Sequence, residues 1–331
     1  MKKYLFIGIA ATAMLASCTN DEIVEMAPQG NAIGFSTFVD NSTRAVTETK
    51  VANLGEITVY GWRGESLLFN GQKVTIATDG KGTYTPTKYW EAGYTYSFEA
   101  IKEVAGATLT AAQTGGKITF DNTANGGKAT TDLVYAKVAD TEKINADFSN
   151  VKTVDFIFNH LLSKVKFTFT NGFTGSDAKL SIANVNITNS VSKAETTPQT
   201  TTKTNGNATW TATNDATDLN VSFATNTADI EVDATVESEE MLLIPANKKY
   251  LITFDATLNQ NGVKTTYHKT AEITLTNGLQ AGYSYNFTAT LDNTNITEDG
   301  SDLKPIVFSA DVYNWQEYSD NSVTITPAAN N

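Results

Sequence analysis

Few side chains in this chain are equipped for chemistry, and their spacing suits little of it. The 331 residues hold one cysteine, Cys18, and two histidines, His160 and His268. One thiol leaves no disulfide and no cysteine pair for a metal, and no His-x-x-x-His spacing offers a zinc site. His160 shares strand parity with Phe156 and Phe158, which reads as a packed structural histidine. The run Asn125-Gly126-Gly127-Lys128-Ala129-Thr130 lacks the leading glycine and the Lys-Ser/Thr step of a phosphate loop. Asp229, Glu231 and Asp233 alternate with Ile230, Val232 and Ala234 and read as the wet face of a strand. An acid–base pair needs two different environments, which one exposed face does not give. Asp292, Asp299 and Asp302 miss the spacing of a calcium loop. Trp62, Tyr89 and Trp90 are candidates for stacking on sugars, with core packing expected for two of the three. No catalytic residue, no metal ligand and no cofactor are therefore expected.

The lone cysteine has a different chemistry. Lys2 and Lys3 precede an apolar core, Leu5 to Leu15, of about a dozen residues, a length that suits a cleaved signal and falls short of a ~20-residue span. The run ends Leu15-Ala16-Ser17-Cys18, which resembles a bacterial lipobox. That resemblance implies cleavage before Cys18, lipidation of its sulfur, and a chain held to a membrane by acyl groups alone. Asp21 and Glu22, just after it, resemble the signal that sends lipoproteins of Bacteroides-type bacteria to the cell surface.

Charge narrows the partners. The chain has 24 basic and 36 acidic residues, a net charge of −12. Losing residues 1–17 removes two lysines and no acid, so the processed chain is more acidic still. Nucleic acid and anionic membrane surfaces are excluded as partners on this ground. With no disulfide available, stability must come from packed cores, and the length suffices for two domains.

The elements that position these residues are strands. Tyr and Phe together number 29, threonine is abundant, and no stretch after the signal holds a 3.6-residue period. Ile33, Phe35, Thr37 and Val39 share one face of a short, modestly apolar first strand. Further strands are expected at 55–62, 66–70, 73–77, 82–87, 94–102, 116–120 and 132–139, with turns at Asn70-Gly71 and Asp79-Gly80. The strongest signal is 154–170. Val154, Phe156, Phe158 and Leu162 lie on one parity and Val165, Phe167 and Phe169 on the other, so a bulge or bend is expected near Leu161–Ser163. Later strands are expected at 178–189, 219–224, 228–236, 241–244, 250–259, 265–276, 283–292, 304–310 and 322–326. Residues 194–220 read as a long loop holding one short strand near 208–213.

One internal repeat stands out. Ala92-Gly93-Tyr94-Thr95-Tyr96-Ser97-Phe98-Glu99-Ala100 matches Ala281-Gly282-Tyr283-Ser284-Tyr285-Asn286-Phe287-Thr288-Ala289. It points to two related sandwiches with a boundary near residue 150. The expected organisation is a signal at 1–17, a lipidated tether and first strand at 18–44, and β-sandwiches at 45–150 and 151–331.

Ordered motifs along nearly the whole chain resemble the fimbrillin family of Bacteroides-type bacteria, the FimA/Mfa-like subunits of surface fimbriae. They include Ile33-Gly34-Phe35, Thr43-Arg44-Ala45, Val59-Tyr60-Gly61, Lys88-Tyr89-Trp90 and Thr131-Asp132-Leu133-Val134-Tyr135-Ala136. The set continues with Phe156-Ile157-Phe158-Asn159-His160-Leu161-Leu162-Ser163-Lys164-Val165-Lys166-Phe167 and Leu242-Leu243-Ile244-Pro245, and ends at Ile306-Val307-Phe308 with Trp315. The resemblance implies tandem transthyretin-like sandwiches and a non-enzymatic role in adhesion. It implies export as a lipoprotein to the outer membrane, and an arginine-specific protease that cuts between Arg44 and Ala45. The first strand, with Ile33, Phe35, Thr37 and Val39, then leaves, and its groove takes a strand from a neighbouring subunit. The candidate donor is the C-terminal segment with Val323 and Ile325. Other fimbrial subunits and a host or bacterial surface receptor are the implied partners; stalk, tip and anchor roles all stay open. A monomeric surface glycan-binding lipoprotein is the rival reading, and a β-sandwich hydrolase a weaker third.

Overall fold

The computed structural model describes residues 31–38, 54–125, 132–140, 142–175, 177–198, 208–297 and 304–314. Cys18, Val39, Arg44, Ala45, Val323 and Ile325 lie outside the described residues. The architecture is nearly all β, as the patterning predicts.

The first half supplies β1 (Phe35–Phe38), β2 (Glu56–Arg63), β3 (Ser66–Ile76), β4 (Lys81–Thr83), β5 (Tyr96–Ile101), β6 (Ala107–Thr110), β7 (Lys117–Asp121), β8 (Val134–Asp140), β9 (Val154–Ile157) and β10 (Asn159–His160). One eight-stranded sheet runs β10-β8-β5-β2-β3-β4-β1-β9. The second half supplies β11 (Ser163–Asn171), β12 (Ala178–Val191), β13 (Lys193–Thr196), β14 (Thr211–Ala212), β15 (Asp218–Phe223), β16 (Thr235–Glu237), β17 (Met241–Leu243), β18 (Tyr250–Gln260), β19 (Val263–Ile273), β20 (Tyr283–Leu291) and β21 (Ser309–Asn314). Here one sheet runs β16-β11-β20-β21, with β17 also on β11, and faces a second, β15-β12-β18-β19. A fourth sheet, β14-β13-β7-β6, draws strands from both halves. Strand pairing therefore crosses residue 150 three times, in β1–β9, β8–β10 and β7–β13.

The segment 154–170 seeds all three cores. Phe156 and Phe158 enter the first, with Ile57, Val59, Phe69 and Phe98. The chain bends between β10 and β11, where the parity switch predicts it. Leu161 and Leu162 there pack into a junction core with Ile118, Phe120, Trp210 and Leu242. Val165, Phe167 and Phe169 then enter the third, with Ile182, Phe254 and Phe287. Trp210 Nε1 donates to the Leu161 carbonyl at 2.7 Å and pins the bend.

Several boundaries differ from the sequence expectation. Residues 66–70 and 73–77 form one strand, because Gly71, at φ 69°, makes a bulge rather than a turn; the register to β2 shifts beside it. The expected strand 228–236 is strand only at β16, and Ile230 makes a single bridge to Leu180. The last described strand begins at Ser309 rather than 304. Polar, threonine-bearing β6 falls where no strand is expected, and β13 runs into the start of the stretch 194–220 read as a loop.

A candidate assembly site around the first strand

The first strand is short, but its inward residues are not weakly held. Ile33, Phe35 and Thr37 are all buried. β1 runs antiparallel to β4, pairing Phe35 with Gly82, and parallel to β9, pairing Phe35 with Val154. It is thus an internal strand with a partner on each side. Backbone bonds extend the hold: Ile33 N–H to the Lys88 carbonyl, Thr37 N–H to Gly80 and Val154 N–H to Gly34, each at 2.9 Å. Tyr84 Oη donates to the Ile33 carbonyl at 2.7 Å. Ser36 Oγ bonds the Asp155 carboxylate across the parallel pair.

Phe35 is the centre of an aromatic cage. Its ring lies 5.4 Å from Phe69, 5.4 Å from Tyr84, 5.9 Å from Phe98 and 5.6 Å from Phe156, on which it stacks. Gly82 makes room for it. A Cβ there would lie 2.7 Å from a Val74 methyl and 3.2 Å from the Phe35 Cβ. Gly61 does the same for the cage wall, since a Cβ would meet the Phe98 ring at 2.7 Å. Burying Ile33 and Phe35 contributes about 1.5–3 kcal/mol each. Without β1, the N–H and C=O groups of β4 and β9 would face a slot lined by Phe69, Tyr84, Phe98 and Phe156, a shape that another strand of similar pattern fits.

At the far end, β21 pairs with β20 and carries Ala310 and Val312 into the last core, joined by Phe308 just before the strand. Its outer side has no strand partner among the described residues. The expected donor residues follow it outside the described segment.

Other flagged residues resolve into structural roles. His160 is buried, and its Nδ1 lies 2.5 Å from Oδ2 of Asp132, which is also buried. Two of the quoted motifs thereby meet in one contact that spacing alone did not reveal. Asp229 accepts from Asn259 at 2.8 Å and pairs with Lys264, while Glu231 pairs with Lys179 at 2.5 Å. These acids are neutralised individually and share no reacting point. Asp292 caps the single-turn helix α1 (Asn293–Ile296). Trp62 and Trp90 are buried, leaving Tyr89 exposed. Among the described residues no group of three His, Cys, Asp or Glu side chains gathers as a metal set, and no helix is long and apolar enough to cross a membrane.

Sequence reasoning passed over one buried acid. Glu99 on β5 is 1% exposed. Burial pushes its carboxyl up to about 7, against the opposing pull of the Gly116 amide and the Lys137 ammonium. Its position between Phe98 and Ala100 in the repeat was the available signal.

The repeat itself is built twice. Gly93 and Gly282 both take positive φ, 85° and 76°. The Tyr96 hydroxyl accepts from the Glu91 amide at 2.8 Å, and the Tyr285 hydroxyl accepts from the Gln280 amide at 2.9 Å. Tyr96 stacks along Phe98 at 6.2 Å and Tyr285 along Phe287 at 6.1 Å.

Comparison with known proteins places this geometry. A candidate cell adhesion protein from Bacteroides uniformis ATCC 8492 is similar at 21% identity and TM-score 0.50, covering 87% of this chain and 100% of its own. One from Parabacteroides distasonis ATCC 8503 is similar at 11% identity and TM-score 0.51, over 88% and 98%. The fimbrial anchor protein Mfa2 from Porphyromonas gingivalis aligns at 10% identity and TM-score 0.42, over 89% and 99%. The first two likenesses show a shared fold. No curated protein matches the sequence. The Fimbrillin-like family matches residues 43–305, which is most of the chain: the protein belongs to the fimbrillin-like family.

Proposed function

We propose that this fimbrillin-like protein is a structural subunit of a surface fimbria that assembles by strand exchange at the β1 slot. It is exported as a lipoprotein anchored through Cys18, held at the outer membrane, and cut between Arg44 and Ala45. The observation that carries the reading is the position of Phe35: the aromatic cage of one half is centred on a ring from a strand at the start of the chain. Arg44 follows that strand by a few residues. Cleavage there severs β1 from the rest of the chain, after which only non-covalent contacts hold it. A neighbour's segment with alternating apolar residues, such as Val323 and Ile325, replaces it. The contact is head-to-tail and does not close on itself, so it builds a filament. The two halves are tandem sandwiches, with the division after His160, where the chain leaves the first sheet. No catalysis is involved, and the lipid serves delivery.

The test is to treat the purified precursor with a trace of an arginine-specific protease. A cut after Arg44 followed by oligomer ladders on unboiled gels is expected. An Arg44→Ala precursor should remain whole and monomeric, and loss of residues 322–331 should leave cleavage intact but abolish the ladder. A wild-type chain that is cut, remains monomeric and binds polysaccharide would favour the glycan-binding lipoprotein instead.

A further inference from the structure

β19 is an eleven-residue strand with β18 on one side and no strand on the other among the described residues. The two-residue turn Asn261-Gly262, at φ 53° and 80°, closes the β18–β19 hairpin on the pair Gln260 and Val263. In such a turn the closing pair exchanges both its hydrogen bonds, and the bonded pairs then recur at every second residue. Val263, Thr265, Tyr267, Lys269, Ala271 and Ile273 therefore bond to β18. Lys264, Thr266, His268, Thr270 and Glu272 turn their N–H and C=O groups to the open edge.

Those five residues are symmetric about His268, and so is their chemistry. Reversing the strand about His268 sets Lys264 against Glu272, Thr266 against Thr270, and His268 against itself. On the other face it sets Tyr267 against Lys269, whose ammonium already lies 5.5 Å from the Tyr267 ring within the chain. It also sets Val263, 68% exposed, against Ile273. Lysines on an open edge ordinarily discourage pairing. In this register each lysine instead meets an acid or an aromatic face.

We infer that β19 pairs antiparallel with β19 of a second copy of this chain, about a two-fold axis at His268. The contact is isologous, the same surface on both copies, and so closes as a dimer. It joins the two β15-β12-β18-β19 sheets into one continuous sheet. His268 is prepared for this position. Its Nδ1 is tied to Asp255 at 2.5 Å, and Asp255 accepts from Asn184 at 2.7 Å, so the ring is held beside its own β18. The partner histidine then stands next to it without displacing either ring. Lys264 and Glu272 also have partners within the chain, Asp229 and Lys249, so the interchain pairs add to existing clusters. This inference does not depend on strand exchange, which uses a different sheet.

The test uses the full chain carrying Cys18→Ser, to keep it free of lipid, in sedimentation velocity from about 1 µM to about 1 mM, where a single strand edge is expected to associate. A concentration-dependent dimer is expected. Thr266→Pro deletes an outward N–H, leaves the backbone bonds to β18 in place and removes one hydroxyl bond to Thr257 of β18; it should weaken the dimer at least tenfold, to roughly the extent expected when a ladder is interrupted at its middle. Lys264→Glu and Glu272→Lys should each weaken it about tenfold, and the double variant should recover to within about threefold, because the charges are again opposite. A chain monomeric over the whole range overturns the inference. So does a double variant as weak as the single ones, or a dimer indifferent to Thr266→Pro while circular dichroism shows the fold intact.

Discussion

Each half of the molecule is centred on one phenylalanine, and the two sit in opposite kinds of strand. Phe35 meets Phe69, Tyr84, Phe98 and Phe156. Phe167 meets Phe169, Phe223, Phe287 and Phe308. The chemistry of the two cages is alike. Their connection to the chain is not: Phe167 lies mid-chain on nine-residue β11, whereas Phe35 lies on four-residue β1 near the start. The difference teaches that a core centre need not belong to a long or continuous element. Under the proposed strand exchange, one half would exchange its centre while the other keeps its own.

The sharpest way to break this comparison is to empty each cage. Phe35→Ala and Phe167→Ala should each cost about 3–5 kcal/mol, the usual range for a buried aromatic truncated to alanine. Their consequences should differ. Phe167→Ala should lower the midpoint of global urea unfolding. Phe35→Ala should release β1 first, seen as fast hydrogen exchange at Val154, whose amide bonds the Gly34 carbonyl, while β11 and β20 stay protected. A synthetic peptide of residues 31–40, added in excess to a chain lacking them, should restore that protection. Uniform loss of protection in both halves of Phe35→Ala would show that β1 is no separable part.

Glu99 offers the next largest contrast. Its counterpart in the repeat is Thr288, so only the first half carries a buried acid there. An acid whose folded pKa is raised binds its proton more tightly in the folded state. Stability from this group is therefore full below its ordinary value of 4.5 and is lost as pH rises towards about 7. The loss amounts to roughly 3 kcal/mol. Urea unfolding followed by tryptophan fluorescence should give lower stability at pH 8 than at pH 5, and Glu99→Gln should flatten that slope. An unchanged slope in the variant would assign it to other groups.

How much of this was legible depends on the range of each signal. The all-β class, the bend after His160 and the repeat are carried by neighbours in sequence, through parity and turn glycines, and were readable. The internal place of β1 was not. Its length and the alternation Ile33, Phe35, Thr37 describe an edge strand equally well, and only β9, over a hundred residues later, makes it central. The Asp132–His160 contact was hidden for the same reason. Gly71 misled because positive φ serves a turn and a bulge alike. β13 was missed because Lys193–Thr196 has little apolar content and owes its strand to β7.

A glycine tests whether the cage of the first half is tight enough to need a special residue. Gly82→Ala adds a methyl where Val74 and Phe35 already close the space, so it should cost about 1–3 kcal/mol. The effect should fall on β1, because Gly82 is its register partner. Thermal unfolding checks the magnitude, and hydrogen exchange at Phe35 checks the place. A neutral Gly82→Ala would mean that β1 sits loosely beside β4.

The smallest effect sharpens the comparison most, because it concerns what the halves share. Tyr96 and Tyr285 each accept a backbone amide five residues upstream, behind a positive-φ glycine. Their strands have different company: β5 lies between antiparallel β2 and β8, while β20 lies between parallel β11 and antiparallel β21. If the turn and clamp are set by the local nine residues, Tyr96→Phe and Tyr285→Phe should cost the same, about 0.5–1.5 kcal/mol, with one amide left unpaired in each. If the surrounding sheet decides, the costs should diverge. Thermal unfolding of both single variants and the double variant separates the two cases. Additivity is expected as well, since the sites lie in separate cores and share no partner.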